Sequence, residues 1–360
     1  MRLAAKCGCL TLSLASLVFP GCQIDPNPVV GDQPFERLSQ YGFFQGELHD
    51  LIPSKGVLPY DLVTPLFSDY AEKARFVWMP QGTSAELIHE EETFSFPRNA
   101  VLIKNFYYPF DARNRQLGRQ MIETRLLIRR DQGWEAWSYI WNDAQTDAVL
   151  DIAGDVKPVT WLDERGQNRQ VSFVIPNKNQ CKGCHEYKKQ LHPIGPKMRH
   201  LNKVFSYEDG EKNQLMKWQE KGYLKGLKAD LTQYYTIADW DNPQALLNER
   251  ALAYLEINCG ICHSEHGPAG VSGLFLTTSQ QDLNHLGVCK SPVSAGSGSG
   301  GRDYDIVPGN ADGSILLYRM ESLDPGEMMP ELGRSMVHEE GVALIREWID
   351  SMEGGCPESL

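Results

Sequence analysis

The chain has 360 residues, 35 of them basic and 47 acidic, for a formal charge of −12. That balance excludes a nucleic-acid binder, which needs a basic face. With 41% hydrophobic residues, a chain of this length can bury a substantial core and divide into two or three domains.

Arg2 and Lys6 precede an apolar run from Leu10 to Phe19, the pattern of an export signal and too short to span a bilayer. The run ends at Phe19-Pro20-Gly21-Cys22, a small residue before a cysteine, as at a bacterial lipoprotein cleavage site; Phe19 and Pro20 depart from the usual choices. Two outcomes stay open for residues 1–22: lipidation of Cys22, which gives a membrane anchor, or simple cleavage near it. Either one puts the mature protein outside the cytoplasm, in the periplasm or at the outer membrane. Without Arg2 and Lys6 the charge becomes −14. No later segment is long and apolar enough to cross a membrane.

Residues 23–40, rich in Pro, Asp and Gln, read as a tether. From 41 to 175 the pattern is β. Ala100 to Tyr108, Gln120 to Arg130 and Gly133 to Trp141 are rich in aromatic and β-branched residues, with a turn at Asp131-Gln132-Gly133. Shorter strands are expected at Arg75 to Met79, Thr93 to Phe96, Lys157 to Leu162 and Gln170 to Ile175. Many short strands between turns predict a β-sandwich-like domain. Trp137, Tyr139 and Trp141 share one strand face, which is either core or a ligand platform. Asp69, Glu72, Lys73 and Arg75 read as a solvated charged edge.

After Ile175 the pattern turns to helix and loop. A helix is expected over Tyr207 to Lys225, around Leu215, Met216 and Trp218. A stronger one runs from Gln244 to about Asn258, opened by Asn242-Pro243. Residues 291–301 are a Gly/Ser loop. His338 to Met352 forms an amphipathic helix, with Val342, Ile345, Trp348, Ile349 and Met352 on one stripe.

Two pentapeptides carry the chemistry. Cys181-Lys182-Gly183-Cys184-His185 and Cys259-Gly260-Ile261-Cys262-His263 both read C-x-x-C-H, the attachment sequence of a c-type haem: two thiols bond the porphyrin and the next imidazole binds its iron. Two covalent haems are therefore expected, with Cys181, Cys184, Cys259 and Cys262 as attachment points and His185 and His263 as proximal ligands. The competing reading is one zinc held by both cysteine pairs, in which the two histidines have no required role. Cys7 and Cys9 leave with the signal, so Cys289 and Cys356 remain, and outside the cytoplasm a disulfide between them is expected. His266 and His285 read as loop residues.

Residues 244–356 resemble the class I cytochrome c fold: a helix before C-x-x-C-H, a long loop, a Met-Pro pair and a closing helix. In that family the methionine before the proline binds iron. The resemblance therefore implies Met329 as distal ligand, with Met328 as competitor, and Arg319 and Arg334 as propionate contacts or plain surface residues. The first motif follows a strand rather than a helix, which predicts an abbreviated module packed on the β domain and the second cytochrome. Its distal candidates are Met198, His192, His200 and Met216, or an open sixth position.

Leu66 to Phe76 (LFSDYAEKARF), Trp137 to Ala148 (WSYIWNDAQTDA), Asn179 to His185 and Pro193 to Lys197 resemble a family of exported dihaem c-type cytochromes of Gram-negative bacteria, over about residues 40–352. The resemblance implies an α+β multidomain chain. A β-rich domain (41–175) is followed by a first haem module (176–240) and a class I cytochrome c-like domain (241–356). It implies electron transfer between redox partner proteins in the periplasm or at the membrane, one of which a negative surface suits if basic. The alternatives are a dihaem redox enzyme, peroxidase-like or dehydrogenase-associated, and a haem-based sensor.

Overall fold

Six strands rich in aromatic and branched apolar residues, buried on both faces over much of their length, make one antiparallel sheet in which each pairs with its neighbours in sequence. They are β1 (Val57–Tyr60), β2 (Glu72–Trp78), β3 (Val101–Pro109), β4 (Arg119–Arg130), β5 (Gly133–Trp141) and β6 (Ala148–Asp151). The computed structural model describes residues 27–357, so Cys22 and the export signal lie outside the described residues. Arg130 pairs with Gly133, which leaves Asp131-Gln132 as a two-residue turn. Residues 93–96 form no strand: Thr93 and Ser95 make only isolated bridges, to Lys197 and Glu86.

The two faces of the sheet are covered differently. On one, Val101, Ile103, Leu126, Ile128, Tyr139 and Trp141 pack under Leu38, Tyr41, Phe43 and Phe44. The Trp137–Tyr139–Trp141 face is thus core: Trp141 donates its indole N–H to Thr124 at 3.0 Å. Trp137 is half-buried beside it, with the Lys178 ammonium 3.8 Å from its ring centre.

The second face carries two apolar clusters with charged residues between them. At one end Phe106 and Tyr108 meet Val159, Trp161, Val171 and Phe173 of a separate hairpin, β7 (Asp155–Leu162) and β8 (Asn168–Ile175). Directly after β8, Pro176 breaks the strand and Asn177 caps α1 (Lys178–His185), accepting from the N–H groups of Asn179 and Gln180. Gln180 accepts in return from the Asn177 N–H, closing a capping box. The first pentapeptide is therefore itself helical. At the other end Leu58, Val77 and Leu102 pack with Met198 and Leu201 of α2 (Met198–Leu201) and with Leu215 and Trp218 of α3 (Gln214–Glu220). The expected helix over Tyr207 to Lys225 shrinks to α3. Its first residues form a hairpin instead, Val204–Tyr207 against Gly210–Asn213, around a Glu208-Asp209 turn.

In the last third, α4 (Leu247–Leu255), α5 (Ile315–Glu321) and α6 (Glu339–Asp350) share one core of Ala251, Leu255, Leu317, Ile345, Trp348 and Ile349. Trp348 donates to Asn248 across α4 and α6 at 2.9 Å, so it is a packing residue. Past α4 the chain continues in a π-helical turn, Glu256–Gly260, into the second pentapeptide. Cys289 and Cys356 are joined by a disulfide that ties the long loop to the C-terminal segment. The architecture is thus mixed α and β, and no described helix is long and apolar enough to cross a membrane.

Candidate functional site

One cleft lies between the second face of the sheet and the helices, and both pentapeptides open into it. Cys181, Cys184 and His185 line it from α1, and Cys259 and Cys262 from the end of the π-helical turn. The two C-x-x-C-H sequences touch: the Cys262 thiol reaches the Gly183 carbonyl at 3.5 Å. The four thiols are unbonded. Burial pushes all of them up, Cys259 to about 12 and Cys262 to about 11, so they stand as neutral thiols. Among the described residues no three His, Cys, Asp or Glu side chains converge as a metal-binding group.

Of the two histidines, only His185 is held by a hydrogen bond at its second nitrogen. His185 is oriented by the His192 carbonyl, 2.8 Å from its Nδ1. With Nδ1–H donating there, the lone pair is on Nε2, the arrangement that fixes a metal-binding tautomer. Burial brings His185 down to about 4, keeping it neutral with the lone pair of its free nitrogen unprotonated. His263 is likewise brought down to about 4 by burial. Its Nδ1 is buried near the Leu274 carbonyl but short of hydrogen-bond geometry. A c-type haem needs two thiols and an adjacent imidazole per group inside an apolar enclosure. Cys181, Cys184 and His185 meet that need together; at the second sequence Cys259 and Cys262 line the cleft but His263 does not.

Distal candidates divide sharply. The Met329 side chain lines the cleft while Met328 does not, although Met328 is buried. The Met329 loop is clamped from two sides. Arg334 donates to the carbonyls of Met329, Met336, Arg319 and Ser322. Asp69, 3% exposed, accepts from the backbone N–H groups of Ser335 and Met336 and from the Ser335 hydroxyl, at 2.7 to 2.9 Å. Arg334 is therefore committed to backbone, and Arg319 donates to the Glu327 carbonyl. The expectation of a solvated edge at 69–75 fails for Asp69 and Arg75, which are both buried. Asp69 is consumed by the Met329 loop and Arg75 by Asp61.

Of the candidates near the first motif, none lines this cleft. Met198 is packed in the core with Leu215 and Trp218, and Met216 is half-exposed. His192 and His200 border a neighbouring polar cavity with Arg199 and Glu256. There Glu256 accepts from Arg199 at 3.1 Å and from the Thr278 N–H and hydroxyl. His200 Nε2 stands 3.4 Å from the same carboxylate.

Two groups of cleft residues escaped the sequence patterns. His338 lines the cleft from the start of α6. Its ring stacks on Phe67 at 4.1 Å and its Nδ1 lies 3.0 Å from the Tyr254 hydroxyl. Its signal was only a lone histidine at a helix start. Lys104 and Arg125 line the cleft from β3 and β4, and burial, then the nearby cations, hold the Lys104 ammonium well below its ordinary range. The signal was a lysine inside the otherwise apolar run AVLIKNFYY.

Comparison with protein families, with curated proteins and with solved structures finds no match to this chain.

Proposed function

We propose that the protein is an exported dihaem c-type cytochrome that carries electrons between a donor and an acceptor outside the cytoplasm. The observation that carries this reading is that both C-x-x-C-H sequences open into one cleft and abut, through the Cys262 thiol and the Gly183 carbonyl. Groups bonded at Cys184 and Cys262 would share a chamber, which suits passage of electrons from one to the other. A haem so held supplies one-electron redox chemistry.

The chain's own residues do the rest. Cys181 and Cys184, and Cys259 and Cys262, fix each group covalently. His185 and His263 present neutral imidazoles, the first oriented by the His192 carbonyl. Met329 offers a thioether, the softer donor that raises a haem potential, on a loop held by Arg334 and Asp69. The shared core of α4, α5 and α6 supports reading 241–356 as class I cytochrome c-like and 176–240 as an abbreviated first module. The sheet with its β7–β8 hairpin supports a β-sandwich-like reading of 41–175. Membership in the exported dihaem family, redox partner proteins in the periplasm or at the membrane, and a lipid anchor at Cys22 belong to the same proposal.

The test is a haem-specific stain and haemochrome quantitation on denatured protein made in a host that matures c-type cytochromes. Two equivalents per chain are expected, and fewer than two defeats the reading. A second reading is favoured by one observation: no histidine or methionine downstream of His185 and before α4 reaches the cleft as a sixth ligand, while Lys104 and Arg125 do line it. That arrangement suits an enzyme with an open first haem. A high-spin ferric fraction that shifts with cyanide supports it; two fully low-spin haems support the carrier.

A further inference from the structure

The second face of the sheet carries a row of charge that its packing does not explain. Arg75 on β2, Lys104 on β3 and Arg125 on β4 stand directly opposite one another in the strand register. All three line the cleft. Like charges opposed across strands repel, and taking them out of water adds a desolvation cost.

The neighbouring carboxylates do not neutralise the row. Arg75 is 5% exposed; it spends one Nη on Asp61 and leaves Nη2 buried with no partner. Arg125 forks onto Glu123 through Nε and Nη2 at 2.7 and 2.8 Å. Lys104, between them, has Arg75, Lys73 and Arg125 as cationic neighbours, against Glu123, whose oxygens Arg125 already takes. Its ammonium is left 4.6 Å from the centre of the Phe106 ring. The row shares the cleft with Cys181, Cys184 and His185 of the first pentapeptide.

We propose that Arg75, Lys104 and Arg125 form an oxyanion site in the cleft beside the first C-x-x-C-H, made for a carboxylate or a similarly sized oxyanion. A planar guanidinium with a free edge and an unpaired ammonium are the donors such an anion takes. The anion has two sources. One is the propionate of a haem held at Cys181 and Cys184, which rests on the dihaem reading. The other is a diffusible oxyanion bound within the same cleft.

Lys104→Met and Arg125→Gln test this in the full haem-loaded chain, with Lys104→Met as the safer variant because Arg125 is the fork partner of the fully buried Glu123. Haemochrome quantitation comes first. A count below two defeats the dihaem reading, and the row is then judged on the same protein by its melting shift with nitrite. If propionate fills the site, each variant lowers the midpoint potential of one haem by a factor of about ten in its reduction equilibrium, about 59 mV for one electron. The other haem stays put, and the propionate bending bands in resonance Raman move with the affected one. If a diffusible oxyanion fills it, nitrite perturbs the wild-type spectrum or melting temperature saturably, acetate competes, and Lys104→Met abolishes the response. Unchanged potentials and Raman bands, together with no saturable nitrite response, overturn the site.

Discussion

The two C-x-x-C-H regions meet in one cleft but are supported by opposite means. Around Cys259 to His263 the walls are helices with a shared apolar core, a disulfide behind the loop, and a thioether on a loop with hydrogen bonds on both flanks. Around Cys181 to His185 the wall is a sheet face, the support is a short capped helix, and the inward side chains are cations. A helical pocket with Met329 suits a closed six-coordinate iron. A sheet pocket lined by Arg75, Lys104 and Arg125 suits an anion, and offers no thioether or imidazole from the stretch between the two motifs. The lesson is that the same attachment sequence can serve two unlike sites.

The largest effect that sharpens this contrast comes from Met329→Ala. One of the two haems should pass completely from low to high spin in the ferric spectrum while the other keeps its bands. Met198→Leu should change neither and cost less than about 1.5 kcal/mol, as a core swap of similar volume. A spectral change in Met198→Leu would move a ligand back to the first site.

Removing the disulfide with Cys289→Ser and Cys356→Ser should cost about 4 kcal/mol in chemical denaturation, for a closed loop of 67 residues. The loss should fall on the helical region, read as hydrogen exchange in α5 and α6 before the sheet. Equal loosening of the sheet would break the comparison.

Glu256 joins the two regions, because it enters from the turn before the second motif and is met by Arg199 and His200 from α2. Burial opposes its ionisation, yet His200, Arg199 and Lys197 outweigh that and hold the carboxyl below the usual range. The folded chain therefore binds fewer protons than the unfolded one below about pH 4.3, and stability falls with acidification through that window. Glu256→Gln should cost about 3 kcal/mol at pH 7 and flatten the acid limb of a stability–pH curve. An unchanged acid limb refutes the assignment.

A smaller cost than for Glu256 is expected for Asp69→Asn, about 1–3 kcal/mol for a buried acceptor of three donors. Its diagnostic readout is a weakened Met329 bond, seen as partial high-spin character at one haem, although Asp69 belongs to the sheet side.

The long strands were legible because aromatic and β-branched runs such as Gly133 to Trp141 have few other uses, and that strand begins and ends where expected. The closing helix was legible from its stripe of Val342, Ile345, Trp348 and Ile349. The helix at Cys181 was not, since eight mostly polar residues with Gly183 inside give no periodicity; only the Asn177–Gln180 capping pair signalled it. Tyr207 to Lys225 misread because Leu215 and Trp218 outweighed the Glu208-Asp209 turn. The cationic row was hidden for a deeper reason: Arg75, Lys104 and Arg125 are separated by 29 and 21 positions, and only strand register brings them together.

The central claim is that both thiol pairs hold haem, and the intact mass of denatured protein from a maturation-competent host tests it most directly. The account predicts a mass heavier than the processed polypeptide by two haems, falling to one when either Cys181 and Cys184 or Cys259 and Cys262 are replaced by alanine. A mass equal to the bare polypeptide would contradict it.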